Sequence, residues 1–378
     1  MSAATTPYIL YGSPHSYYTA KVRCYLRKQG IAYRERMPSH PSFAQQVVPE
    51  IGRSIIPVLV TPEGECIQDS IDIIDHLEAL GVPLSAYPSG PRQRVLALWI
   101  EYFGNFCMLR PAMHYRWSFF PEQAEYVTDA NVSCSGEQVA QMIMQRMRSY
   151  LPALGVTNDT VELIHQTFLR LLDILEAHFS VHPYLFGGRP SIADYGLIGP
   201  MYAHLARDPV PAQLMRTRAP KVFRWVERMT AADADIPEYH DYPEAFLADD
   251  QVPETLLPLL ALMREEVFPE LDDKLTFLDQ WVQQHAVCDG QPVSDKPHQR
   301  NLGQIATQYR GVPIESGVAP YLIYSLRRIN RFIDCLPQEQ RDDLLEYLAS
   351  LQWPAGLPSS MAYSVGRRRN IEVWEIAP

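Results

Sequence analysis

The chain has 378 residues, 47% of them hydrophobic and 20% charged, and a formal net charge of −11. That length can bury a sizeable core in two or three domains of an ordinary globular protein. The acidity argues against nucleic acid or an anionic membrane as the main partner. Six scattered cysteines (Cys24, Cys66, Cys107, Cys134, Cys288 and Cys335) make no C-x-x-C pair. Neither a disulfide framework nor a zinc site is therefore visible, and reduced cytosolic thiols are the natural reading. Met1-Ser2-Ala3-Ala4-Thr5-Thr6 lacks the basic and apolar regions of a leader. No apolar run is long enough to span a bilayer, so the cytoplasm is the expected location.

In chain order, Tyr8-Ile9-Leu10-Tyr11 reads as a short strand that stops at Gly12. Val22, Tyr25 and Leu26 then make a helical face that ends at Gly30. Six cations in residues 1–40 (Lys21, Arg23, Arg27, Lys28, Arg34, Arg36) stand against Glu35 alone. Most are read as solvated residues, in a region that an anionic small ligand would favour. Ala32 to Met37 alternates weakly as a second strand. Val58-Leu59-Val60 and Glu65-Cys66-Ile67, joined by Thr61-Pro62-Glu63-Gly64, read as a hairpin. Ile73, Ile74, Leu77 and Leu80 mark a helix closed by Gly81. Residues 81–91 have linker composition.

Beyond the linker the patterns are helical. Val95, Leu98, Trp99, Tyr102, Phe103 and Phe106 form one stripe, and Val161 to Phe179 another. A longer connection, about Phe119 to Asn158, carries a helix near Val139–Tyr150. A proline-containing acidic stretch near 233–253 leads to helical patterns near 255–285, 320–335 and 338–351. Ile371-Glu372-Val373-Trp374-Glu375-Ile376 closes the chain with strand-like alternation. Arg367-Arg368-Arg369 reads as a solvated run. No G-x-G-x-x-G, P-loop or G-x-S-x-G occurs, and His15, His40, His76 and His114 have no metal spacing.

Three local features point toward chemistry. Pro57 enters a β-branched apolar strand, where a missing N–H suits a strand edge or turn. A cis peptide there would turn the Ile56 backbone outward, free to pair with an extended ligand. Ser13-Pro14-His15-Ser16 stands at a strand-to-helix turn, and Gln68-Asp69-Ser70 opens another helix. Ser191-Ile192-Ala193-Asp194, just after Gly187-Gly188-Arg189-Pro190, is an S-x-x-D capping box.

Together these residues resemble the glutathione transferases. The stretch from Tyr184 to Tyr195 is similar to the buried helix cap of their helical domain, and Ala219 to Trp225 looks like their closing helix. The resemblance covers about residues 7–230. It implies an α+β thioredoxin-like, glutathione-binding domain at 1–82 and an all-helical domain at 92–232. A mostly helical extension at 236–378 is expected to pack on the helical domain. It implies glutathione as co-substrate, no metal, a small apolar electrophile as second substrate, and a role in detoxification. A homodimer stays open as the assembly. Carried over by residue, Ile56 pairs with the glutathione cysteine, Pro57 is the cis proline, and Asp69 and Ser70 hold the γ-glutamyl end. The family usually has glutamate where Asp69 stands. Arg53 is placed at the glycine carboxylate without a strict motif match. Phe103, Phe106, Met113 and Trp117 are expected to line an apolar pocket.

Ser16, seven residues before Arg23, resembles the thiolate-stabilising residue of the serine- and cysteine-type branches. Tyr11, Tyr17 and Tyr18 are alternatives. Bringing a thiol from about 8.5 to below neutrality takes roughly 2.7 kcal/mol. One hydroxyl bond to the anion (~1.5–3 kcal/mol) plus a helix N-terminus (~0.3–1 kcal/mol) suffices. Taken alone, Ser16 would simply be a helix N-cap; Pro57 and Asp69-Ser70 bring the catalytic reading forward. The expected activity is glutathione transfer to an apolar electrophile. A non-catalytic binding protein on the same fold, or another glutathione-dependent enzyme (isomerase, dehalogenase, ether-cleaving), is the alternative.

Overall fold

The computed structural model describes residues 7–233, 236–296, 298–358 and 361–376. The first domain runs β1 (Tyr8–Tyr11), α1 (Tyr17–Lys28), β2 (Tyr33–Arg36), α2 (Val48–Ile51), β3 (Val58–Val60), β4 (Cys66–Gln68) and α3 (Ser70–Ala79). Its sheet has the order β2-β1-β3-β4, with β1 parallel to β2 and antiparallel to β3. Alternation along β1 sends Leu10 into the main core with Val22, Leu26 and Ile73, while Tyr11 joins Phe43, Val47, Ile51 and Val58 on the opposite face. This is a thioredoxin-like domain with a mixed sheet.

The helical domain follows as α4 (Pro91–Tyr102), α5 (Leu109–Ser118), α6 (Phe120–Ser135), α7 (Glu137–Ser149), α8 (Val161–Phe179), α9 (Ile192–Pro200), α10 (Pro209–Arg218) and α11 (Pro220–Thr230). A π-helical turn, Phe103–Cys107, joins α4 to α5. The expected connection between Phe119 and Asn158 is thus mostly the α6–α7 pair. Gly104 and Gly196 let α9 cross this region closely: a Cβ on Gly104 would stand 2.4 Å from the Gly196 carbonyl. Asp194 closes the capping box. Its Oδ2 accepts from the Ser191 N–H and hydroxyl at 2.8 Å, and its Oδ1 from Leu185 N and Trp225 Nε1. Burial pushes its carboxyl up to about 6 against those four bonds.

The last third holds α12 (Leu257–His285), the hairpin β5 (Gly303–Tyr309) and β6 (Val312–Val318), α13 (Tyr321–Asp334), α14 (Gln338–Ser350), and the hairpin β7 (Tyr363–Arg368) and β8 (Ile371–Ile376). Helix α12 fills the helical pattern expected near 255–285 and runs unbroken through Pro269. Two findings differ from the sequence reading: β5–β6 is a full seven-pair hairpin where no strand was expected, and the closing strand β8 has a partner in β7. Phe268 and Trp353 both pack edge-on against Trp99, at 5.5 and 5.9 Å between ring centroids. One continuous core thereby includes residues of all three parts. Among the described residues no helix is long and apolar enough to cross a membrane.

Charge reinforces the apolar junction. Glu101 of α4, 1% exposed, accepts from Lys21 Nζ of α1 at 2.5 Å and from Arg328 Nη1 of α13 at 2.6 Å. Arg328 also reaches Asp75 of α3 at 3.0 Å. Burial opposes the charge on Glu101, and Arg328 and Lys21 together hold its carboxyl below the usual range. Lys21, Arg23 and Lys28, read from sequence as solvated, are buried. Replacing Arg328 by Met leaves Glu101 with one partner and Asp75 with none of this pairing. Breaking a buried pair in this way costs about 3 kcal/mol or more, measurable as a lower denaturant midpoint of the full chain.

Candidate functional site

The turn from β1 into α1 forms one wall. Ser16 caps α1, its Oγ accepting from Thr19 N at 3.3 Å, and its side chain is half-buried. The cap uses a lone pair, so the Ser16 proton is still available for donation. The tyrosines are otherwise committed. Tyr17 donates to the Gly104 carbonyl and Tyr18 to the Asn105 carbonyl at 2.9 Å. Burial pushes both phenols up. Tyr11 lies on the far face of the sheet, where its hydroxyl meets Ser42 Oγ at 2.5 Å and Arg36 Nη1 at 3.3 Å. His15, one residue before the cap, has its imidazole pushed down to about 4 by burial and by Arg207, Arg116 and Arg23. Arg116 and Arg207 come from helical stretches that carried no sequence signal for this turn.

The second wall is β3 and the start of α3. The Ile56–Pro57 peptide is cis. Among the described residues, neither the N–H nor the C=O of Ile56 has a hydrogen-bond partner. Asp69, at φ 92°, caps α3 by accepting from Ile71 N at 3.0 Å, and Ser70 is the first, buried residue of that helix. Helix α3 packs against α1, and the charges of Arg300 and Asp69 both bear on the Tyr18 phenol.

The third wall belongs to the last third of the chain and was not foreseen. Arg53 grips Glu372 with both terminal nitrogens, at 2.7 and 3.0 Å, and also donates to Gln68 Oε1 at 2.6 Å and the Asn370 carbonyl at 2.9 Å. Arg300 adds a contact to Glu372 at 3.2 Å. The Asn370 side-chain amide pairs with the edge of β4, accepting from Gln68 N at 2.9 Å and donating to Cys66 O at 3.1 Å. Arg367 reaches Asp72 at 2.6 Å and the Gln68 carbonyl at 2.6 Å. Its side chain is only 5% exposed, which corrects the reading of Arg367 as part of a solvated run. Burial opposes the charge on Asp69, yet Arg367 and Arg300 leave its carboxyl below the usual value. Burial lifts Asp72 to about 6 against the pull of Arg367.

The apolar candidates separate. Phe103 and Phe106 belong to the main core, with Phe106 stacked on Tyr102 at 4.6 Å and facing Tyr321 at 6.1 Å. Met113 and Trp117 sit in a different cluster with Val127 and Met144, under α6 and α7.

Comparison with known proteins gives two domain matches. Residues 10–82 match the glutathione S-transferase N-terminal domain and residues 158–228 the C-terminal domain. No curated protein matches the chain. Among solved structures, a glutathione transferase from Phanerochaete chrysosporium is similar at 18% identity, over 61% of this chain and 98% of that one, with a TM-score of 0.43. A GST-like protein from Pseudomonas syringae shares 19% identity over 60% of this chain and 68% of its own, with a TM-score of 0.42. A glutathione S-transferase from Pseudomonas fluorescens shares 24% identity over 59% of this chain and 94% of its own, with a TM-score of 0.35.

The charge cluster makes a pH-dependent prediction. In Arg367→Gln, Asp69 and Asp72 lose a guanidinium that holds their carboxyls down, so both folded-state values rise. The variant should therefore lose most stability at pH 8, where both must stay charged. The deficit should shrink toward pH 5, as the folded state takes up protons. Denaturation curves of the two chains between pH 5 and 8 measure this.

Proposed function

We propose that this chain, which belongs through its first two domains to the glutathione S-transferase family, is a glutathione transferase with Ser16 as the thiolate-stabilising residue. The observation that carries the reading is the state of Ser16: its oxygen caps α1 while its proton is available to a sulfur anion. The positive end of the helix favours negative charge at the same place. The Ile56 backbone, without a partner among the described residues, suits the cysteinyl N–H and C=O of an extended peptide. Asp69 and Ser70 suit the γ-glutamyl amine and carboxylate. The glutathione S–H proton passes to solvent. The sulfur lone pair then attacks the electrophilic carbon of an apolar second substrate, for which Phe106 is the candidate contact. The new C–S bond forms as the bond to the leaving group breaks, and that group departs to solvent with the electron pair. Neither a general base nor a metal is required by this scheme.

A second reading, a binding protein on the same fold without transferase activity, is favoured by a separate observation. Of the two charged arms proposed for glutathione, Arg53 is already paired with Glu372, and Asp69 already lies in the field of Arg367 and Arg300. Calorimetry with glutathione separates the readings. The transferase reading expects binding in the millimolar range or tighter, weakened in Ser70→Ala. Ultraviolet titration of bound glutathione tests Ser16 itself. Ser16→Ala should raise the thiol by one pH unit or more, at about 1.4 kcal/mol per unit. An unchanged titration, with Tyr17→Phe shifting it instead, would move the role to the tyrosine.

A further inference from the structure

The tip of the last hairpin behaves toward the first domain as a ligand would. Arg369 and Asn370 both have positive φ, 49° and 65°, in the tight two-residue turn between β7 and β8. The turn lays the Asn370 amide along the β4 edge as a peptide group would lie, with one donor and one acceptor matched. Beside it the Glu372 carboxylate forms a two-pronged pair with Arg53, the geometry a guanidinium gives any free carboxylate. The stalk of the hairpin is fixed. Trp374 is wholly buried against Trp281 and Tyr363, at 5.6 Å from each. The tip is therefore held at high effective concentration. Glu372 also lines a small cavity with Arg300, Tyr321 and Lys296, and Arg300, already 3.2 Å from it, is a second cation on that side for its carboxylate.

We propose that Glu372 is a built-in competitor for the glycine carboxylate of glutathione at Arg53, so that the last hairpin sets the affinity of the site. The proposal rests on the glutathione reading above. An entering glutathione exchanges its own carboxylate for that of Glu372, and the apparent affinity is the intrinsic affinity multiplied by the fraction of chains in which Glu372 has released Arg53.

The test is a comparison of two ligands on two full-length chains by calorimetry. Glutathione has a free glycine carboxylate, and in its glycine ethyl ester that charge is removed while the rest of the ligand is kept. Glu372→Gln keeps the shape and removes the competing charge. Glutathione should bind about tenfold tighter to Glu372→Gln, a difference of about 1.4 kcal/mol, while the ester gains less than about twofold. Equal gains for both ligands would mean that the tip merely obstructs entry, and would overturn carboxylate competition while leaving the transferase reading intact. Unchanged or weaker glutathione binding by the variant would make Glu372 a structural residue and also overturn it. Binding of neither ligand by either chain would bring down the transferase reading and this one together. If Glu372→Gln does not fold, hydrogen exchange on the unaltered chain decides. Saturating glutathione should speed exchange of the amides at 367–372, and unchanged protection there would refute displacement.

Discussion

One buried carboxylate holds the molecule together. Glu101 sits at the centre of the chain's three parts and is charged there only because Lys21 comes from one side and Arg328 from the other. A carboxylate taken out of water alone would cost several kcal/mol. Each cation therefore depends on the other being in place, and with them the packing of α1, α4 and α13. The aromatic cluster of Trp99, Phe268 and Trp353 supplies the apolar half of the same junction. Because α13 is fixed in this way, so are Tyr324, whose hydroxyl donates to Asp72 of α3, and Tyr321, whose ring carries the Arg300 guanidinium at 4.3 Å. The walls of the candidate site follow from a contact at some remove from it.

The site also shows how one side chain can serve folding and chemistry together. A helix cap needs an acceptor, and thiolate stabilisation needs a donor. A serine hydroxyl is both, whereas the buried phenols of Tyr17 and Tyr18 have given their single proton to backbone carbonyls. The cations near His15 add a favourable field for an anion without any one of them pointing at Ser16.

What the sequence revealed was local. Pro57 before Val58-Leu59-Val60 and the Ser191–Asp194 box each carry their meaning within a few residues, so both could be read directly. Hairpin β5–β6 was legible and was missed. Its residues alternate along Gly303–Tyr309, and Arg310-Gly311 at positive φ makes the tight turn. Lys21 and Arg367 were misread for a different reason. A cation in a helix or strand pattern is ordinarily solvated, and only the partner carboxylate, far away in sequence, makes burial tolerable. Arg367 did carry one hint. It continues the inward phase of Tyr363 and Val365, while Arg368 points out. Glu372 offered none, because nothing near it in sequence names Arg53.

The pair of Arg53 and Glu372 is separated by 319 positions along the chain. At about 5–20 residues per second, synthesis of that interval takes on the order of tens of seconds. The first domain leaves the ribosome long before its last partner exists. During that time Arg53 has its bond to Gln68 within the first domain but not its pair with Glu372, and the edge of β4 is without the Asn370 amide. A nascent chain thus presents this face of the first domain before the residues that cover it have been made.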